Sequence, residues 1–176
     1  MRISWDHPSI NPEELYELLH RNGLLQAQDN AKLLEGIRAT AMISRYGLVL
    51  DDDDRVLASF LYWPIQPHIL GFQWIPEVKR LHTKRDELIA LGEELRTVWF
   101  RGGVTRVEAH VPVARTQTIR AVKAMGFRQE TLDAGLRGVV DFGHGPENLC
   151  ILGFLESDPP RMSIPAPVPK AEEAVA

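Results

Sequence analysis

Glu108 and His110 stand two residues apart in the apolar run Thr105–Val113. Side chains alternate between the faces of a strand, so these two share one face of any strand built from that run. A carboxylate beside an imidazole can act as a general base if the face borders a cleft; otherwise it is an ordinary polar strand face. The other concentration of reactive side chains is the stretch Pro76–Arg85, which holds Lys79, Arg80, His82, Lys84 and Arg85 and no glycine. Its charge can attract phosphate. Side chains in place of glycine, however, obstruct the close backbone approach that phosphate-cradling loops use. A cation-rich helix start also suits an acidic protein partner, a nucleic acid or plain solvated surface.

The remaining reactive residues read as structural. His82 and His144 are isolated, with no second His or Cys at ligand spacing, so no metal site is argued. Cys150 lies within the apolar run Leu149–Leu155 and reads as buried filler. The four aspartates Asp51–Asp54 separate two apolar runs and read as a hairpin turn, because a calcium loop needs alternating ligands and further oxygens. Spacing offers no Ser-His-Asp or Cys-His arrangement, and no Walker loop is present.

These residues must be positioned by a recognisable series of elements. Asn11-Pro12-Glu13-Glu14 is a helix start, with Ile10 and Leu15 able to staple the turn and Leu15, Leu18 and Leu19 facing inward. A second helix is expected over Asn30–Ile37, ending near Gly36. Strands follow at Tyr46–Leu50, Arg55–Trp63 and His68–Ile75, the last after a corner at Pro64–Pro67. Thr83 is the expected cap of the longest helix, with Asp86 three residues on, a buried stripe of Leu88, Leu91, Leu95 and Val98, and Gly102-Gly103 as its stop. Strand Thr105–Val113 leads into a short helix with Ile119, Val122 and Met125 at helical spacing and Gly126 as a left-handed C-cap before Phe127. Two last strands, Arg128–Gly138 and Asn148–Glu156, frame a turn at Gly143–Gly145.

The chain has 176 residues, 44% of them hydrophobic, which suits one compact domain over residues 1–156. A net charge of −4 gives no general attraction to nucleic acid or anionic membrane. A single cysteine cannot close an internal disulfide. No apolar run reaches the ~20 residues of a membrane span, and Met-Arg-Ile-Ser-Trp-Asp lacks the apolar segment of a signal peptide. The expectation is a soluble protein made in the cytoplasm. Residues 157–176 differ in kind: Pro159, Pro160, Pro165, Pro167 and Pro169 dominate them, which predicts an extended arm able to order against a partner.

The segment Thr116–Phe127, following a strand late in a small α/β chain, resembles the last conserved segment of the Gcn5-related N-acetyltransferase (GNAT) fold. The element order resembles that layout across residues 1–156. The resemblance implies an α/β (α+β) fold with a central mixed, mostly antiparallel sheet of six to seven strands flanked by helices. It also implies that acetyl-CoA, if bound, would be held by its pyrophosphate at Arg80, Leu81, His82, Thr83, Lys84 and Arg85, with Arg115 standing where the family commonly has an Asn. The family's general acid, a Tyr four residues before the glycine, is replaced by Val122. In an active enzyme Glu108 or His110 would serve as base, and solvent would supply the leaving-group proton.

The glycine-free basic junction is similar to that of GNAT-like internal virion protein A type proteins of short-tailed phages, on Val78, Arg80, Leu81, Lys84, Thr116, Ile119, Arg120, Gly126 and Glu130. That likeness implies a non-catalytic protein without a cofactor, made in the host cytoplasm and incorporated in the virion. It would work through protein contacts in particle assembly, with the tail 157–176 as one contact. The alternative is an active N-acetyltransferase that moves acetyl from acetyl-CoA to an amine through a divergent loop.

Overall fold

The computed structural model describes residues 1–7, 16, 17, 20, 35, 38, 39, 42–76, 84–132, 135–141 and 146–158. Within them eight strands form one sheet: β1 (Arg2–His7), β2 (Arg45–Leu50), β3 (Val56–Gln66), β4 (Ile69–Pro76), β5 (Arg106–Pro112), β6 (Arg128–Gln129), β7 (Leu136–Asp141) and β8 (Pro146–Leu155). Helix α1 (Arg85–Arg101) joins β4 to β5, and α2 (Thr116–Ala124) joins β5 to β6. The order is β1-β2-β3-β4-β5-β8, with β6 and β7 both on the far edge of β8. β6 lies opposite Leu152 and Gly153, and β7 lies opposite residues 146–149, so the two share one strand position end to end. The sheet is therefore seven strands wide, mixed and mostly antiparallel, as expected.

Several boundaries differ from the sequence expectation. β1 was not expected at all; it pairs antiparallel with β2, and Ile3 and Trp5 pack against the core. Its apolar alternation is only two residues long, too short to stand out from an irregular terminus. β3 runs on past Trp63 through Pro64 to Gln66, so the corner expected over Pro64–Pro67 is confined to Pro67-His68. The single strand expected over Arg128–Gly138 is two, parted near Gly135, whose φ is +66°. Tyr16, Glu17 and His20 are helical, in line with the first expected helix. Glu35 is helical, within the second expected helix, and so are Arg38, Ala39, Met42 and Ile43, which lie past the stop expected at Gly36. Gly36 itself lies outside the described residues.

One face of the sheet carries the main core. Phe60, Phe72, Trp74, Val107, Ala109, Val111, Leu152 and Phe154 meet Leu88, Leu91, Leu95 and Trp99 of α1 and Ala121, Val122 and Met125 of α2. Trp99, four residues beyond Leu95, takes the stripe position expected for Val98, which is 43% exposed. The helices touch at backbone level where they cross. A Cβ on Gly92 would lie 2.0 Å from the Met125 carbonyl oxygen, so a side chain at that point would push them apart.

The local stops behave as their chemistry requires. At the end of α2 the Gly126 amide donates to the Lys123 carbonyl and the Phe127 amide to the Val122 carbonyl. This paired arrangement closes a helix when the residue after the cap is left-handed, and Gly126 has φ +110°. In the β2–β3 turn the Asp51 carboxylate accepts from the Asp53 and Arg55 amides, both at 2.9 Å. The Arg55 amide above all holds its carboxyl below the usual range. The N-cap of α1 is Lys84, not Thr83.

Candidate active site at the parting of β4 and β5

β4 and β5 are the one parallel pair among the described strands. They pair from Ile69–Arg106 to Phe72–Ala109 and no further. β4 continues against β3 as far as Pro76, and β5 against β8 as far as Pro112. The sheet thus splits into two intact halves that separate beyond Phe72 and Ala109. The facing edges of Gln73–Ile75 and His110–Val111 are not spent on each other, and buried backbone groups need partners. An extended ligand carrying its own amides could supply them. The split lies at the carboxyl ends of two parallel strands, where open α/β sheets bind ligands.

His110 is the first β5 residue past the last pair. Val107, Ala109 and Val111 face the helices, so Arg106, Glu108 and His110 look out from the opposite face. On that face His110 Nε2 lies 3.3 Å from Glu108 Oε2. The other Glu108 oxygen, Oε1, accepts from Arg106 Nε at 2.7 Å, while Arg106 Nη2 donates to Glu130 Oε2 at 2.5 Å. Burial raises the Glu108 pKa, but the hydrogen bond and charge of Arg106, with His110, outweigh it and hold the carboxyl below the ordinary range. Glu130 above all holds the Arg106 guanidinium in its charged form. Glu108 is therefore an anchored anion, and His110 is the exposed member of the pair, 42% accessible in its side chain.

Two glycines give this cluster its room. Gly71 and Gly153 are the cross-strand neighbours of Glu108 on β4 and β8. A Cβ on Gly71 would strike the Trp63 indole at 2.3 Å, and one on Gly153 would strike Glu130 Oε1 at 2.1 Å. The carboxylate therefore lies in a trough, walled by an aromatic ring on one side and by the Glu130–Arg106 pair on the other.

Helix α2 begins four residues beyond the end of β5, on the open side of the split. Neither α1 nor α2 has a side-chain cap, so their first amides have no side-chain partner. α2 also has no acidic residue in its first turn and is preceded by Arg115 as its N-cap. Burial lowers the Arg115 pKa, and Glu147 works against that. This end fits an anionic group. α1 is less receptive: Lys84 is paired with Glu87 at 2.9 Å, Arg85 is exposed, and Asp86 and Glu87 oppose an anion. Arg80, Leu81, His82 and Thr83 lie outside the described residues, as do the turn at Gly143–Gly145 and the tail from Pro159.

Of the candidates read from sequence, the structure brings Glu108 and His110 together and places Arg115 at the open end of the same strand. Val122 is fully buried in the core, with no proton to give. Trp74 and Trp99 are each 3% exposed and belong to the core. Arg106 and Glu130 were not singled out as site residues. The period of two that flagged Glu108 and His110 also covers Arg106, but nothing local ties Glu130 to it from 24 residues away. Among the described residues no group of His, Cys, Asp or Glu could hold a metal ion, and no helix is long and apolar enough to cross a membrane.

Neither a protein-family model nor a curated protein sequence matches the chain. Solved structures do. A point variant of the spermidine N-acetyltransferase SpeG from Vibrio cholerae aligns with a TM-score of 0.60 at 13% identity, over 89% of this chain and 96% of that one. The Vibrio cholerae spermidine N-acetyltransferase in complex with CoA and spermine aligns at 0.57 and 13%, over 89% and 96%. A GNAT-family acetyltransferase from Bacillus anthracis aligns at 0.53 and 13%, over 70% and 72%. At such identities the likeness shows the fold: the chain has the GNAT fold.

Proposed function

We propose that this protein is an N-acetyltransferase that accepts acetyl-CoA at the split between β4 and β5 and acetylates an amine. The observation that carries the proposal is the position of His110, the first residue beyond the last β4–β5 pair, 3.3 Å from the anchored Glu108 carboxylate. The fold shared with CoA-binding acetyltransferases supports the same reading. The virion-assembly reading draws no support from the neighbours named above, which are acetyltransferases.

The chain's own residues suggest a division of labour. Arg115 and the uncapped amides of α2 would hold the anionic end of the donor, with Lys84 and Arg85 adding charge from α1. The free edges of β4 and β5 would pair with its amide-bearing arm. When bound, acetyl-CoA supplies an activated acyl group: the amine nitrogen bonds to the acyl carbon and the carbon–sulfur bond breaks. His110 takes the amine proton as general base, and Glu108 holds the ring in place for it. No side chain stands at Val122 to protonate the departing thiolate, so water supplies that proton. Trp63 and the carboxylates at the trough suit an acceptor that arrives as an ammonium ion.

A thiol-release assay with acetyl-CoA and a panel of amines, spermidine and spermine included, tests this function. The expected result is acceptor-dependent release that falls about 100-fold or more in His110→Gln, the usual scale for a lost general base. Release no faster than hydrolysis with every amine would overturn it.

A further inference from the structure

At the other end of the sheet a depression of about 410 Å³ is lined by Pro64, Ile65, Pro67, Leu70, Gly103 and Val104. Its two walls are the β3–β4 turn and the turn between α1 and β5, and they are braced together. The His68 carbonyl accepts from the Thr105 amide at 2.9 Å, and His68 Nδ1 lies 2.8 Å from the Gly103 carbonyl oxygen. Ile65 on its rim is 42% exposed. The groove is thus a fixed apolar surface, and it is independent of the site at the β4–β5 split.

We propose that the segment Ile164–Pro169 of this same chain docks in that groove. The sheet register places the root of the tail close by. Leu155 is the partner of Arg106, Arg106 of Ile69, and Ile69 of Gln66, so the end of β8 lies three strand spacings from the groove. At about 4.8 Å per spacing that is about 15 Å. The chain after β8 is tied down: the Asp158 amide donates to the Leu155 carbonyl at 3.1 Å, and Asp158 Oδ1 lies 3.1 Å from Arg128 Nε. Arg96 of α1 donates to the Glu156 carbonyl, which holds the exit against the helix that ends at the groove. Residues 159–176 lie beyond this anchor. In a polyproline conformation, at about 3.1 Å per residue, Ile164 reaches about 19 Å from it and Val168 about 31 Å. The tail is therefore long enough for Ile164 to reach the groove and for the residues up to Val168 to run along it.

Its chemistry suits the place. Ile164, Ala166 and Val168 alternate with Pro165, Pro167 and Pro169. In a polyproline helix, with three residues per turn, Ile164 shares a face with Pro167 and Pro165 with Val168, so each face of the segment is apolar. The prolines carry no N–H and preset the backbone near the polyproline region, which lowers the entropy lost on docking. They also blunt one edge, so the docked segment would not recruit a further strand.

The test uses the full chain with Lys170→Cys carrying a nitroxide; Cys150, 1% exposed, stays out of reach of the label. The proposal expects selective attenuation of the Ile65, Gln66, His68 and Val104 amide signals. Adding Ile164→Asp and Val168→Asp to the labelled chain should abolish it, as should Ile65→Lys. Undiminished groove amides, or loss spread evenly over the surface, would overturn the proposal. So would attenuation that passes to a separate isotope-labelled chain mixed with the spin-labelled one, because the tail would then occupy a second copy.

Discussion

His110 Nε2 lies 3.3 Å from Glu108 Oε2, on the face of β5 turned away from both helices. The contact joins an imidazole at the open end of the strand to a carboxylate that Arg106 already grips through its other oxygen. If Glu108 positions the ring, its loss should act on turnover and not on donor binding. Glu108→Gln is expected to lower kcat by about tenfold, and His110→Gln by about 100-fold, with the dissociation constant for CoA unchanged in both. Steady-state kinetics set beside a binding titration check this split.

The clamped Glu108 has a pH signature. Its folded-state pKa lies below the unfolded value of about 4.3, so its stabilising contribution is complete above that value and fades as pH falls through the folded one. Arg106→Gln removes the partner that outweighs burial. The variant should melt below the parent at pH 7, and the gap should narrow in solutions more acidic than about pH 4. A gap that stays constant between pH 3 and 7 would mean that Arg106 stabilises by packing alone.

Gly92 makes a prediction whose sign is informative. On helix propensity, Gly→Ala in the middle of α1 should stabilise by about 1 kcal/mol. The Met125 carbonyl oxygen, 2.0 Å from the added Cβ, is backbone and cannot swing away. Gly92→Ala is therefore expected to destabilise by about 1–3 kcal/mol, the scale of an overpacked core. A thermal melt should show a fall of several degrees.

Gly153 meets a different obstacle. Its added Cβ would strike the tip of the Glu130 side chain, which can move. Gly153→Ala should therefore fold normally but detach Glu130 from Arg106, and lower kcat while the melting temperature shifts little. Equal losses of stability and activity would point to a structural role only.

The sequence made the local devices legible and left the long-range ones hidden. The stop at Gly126 and the shared face of Glu108 and His110 follow from spacing within a few residues, and both appear as read. Trp99 displaced Val98 because both sit at permitted spacings from Leu95, and only packing against Trp5, Tyr62 and Phe72 decides between them. The bridge from Arg106 to Glu130 depends on β6 and β8 meeting in one register. The parting of β4 from β5 depends on where a parallel ladder ends. Neither leaves a mark in any short window of sequence. The basic junction that drew most attention in the sequence lies largely at Arg80–Thr83, outside the described residues. Among the described residues, Arg115 and the uncapped start of α2 are placed to meet an anion.

The most direct test of the account is a calorimetric titration of the full chain with CoA, run beside Arg115→Ala. The account predicts a dissociation constant in the micromolar range, weakened about tenfold in the variant, as expected for one charge-assisted hydrogen bond. Absence of binding up to millimolar CoA would contradict it, because a split that holds no donor cannot be the active site of an acetyltransferase.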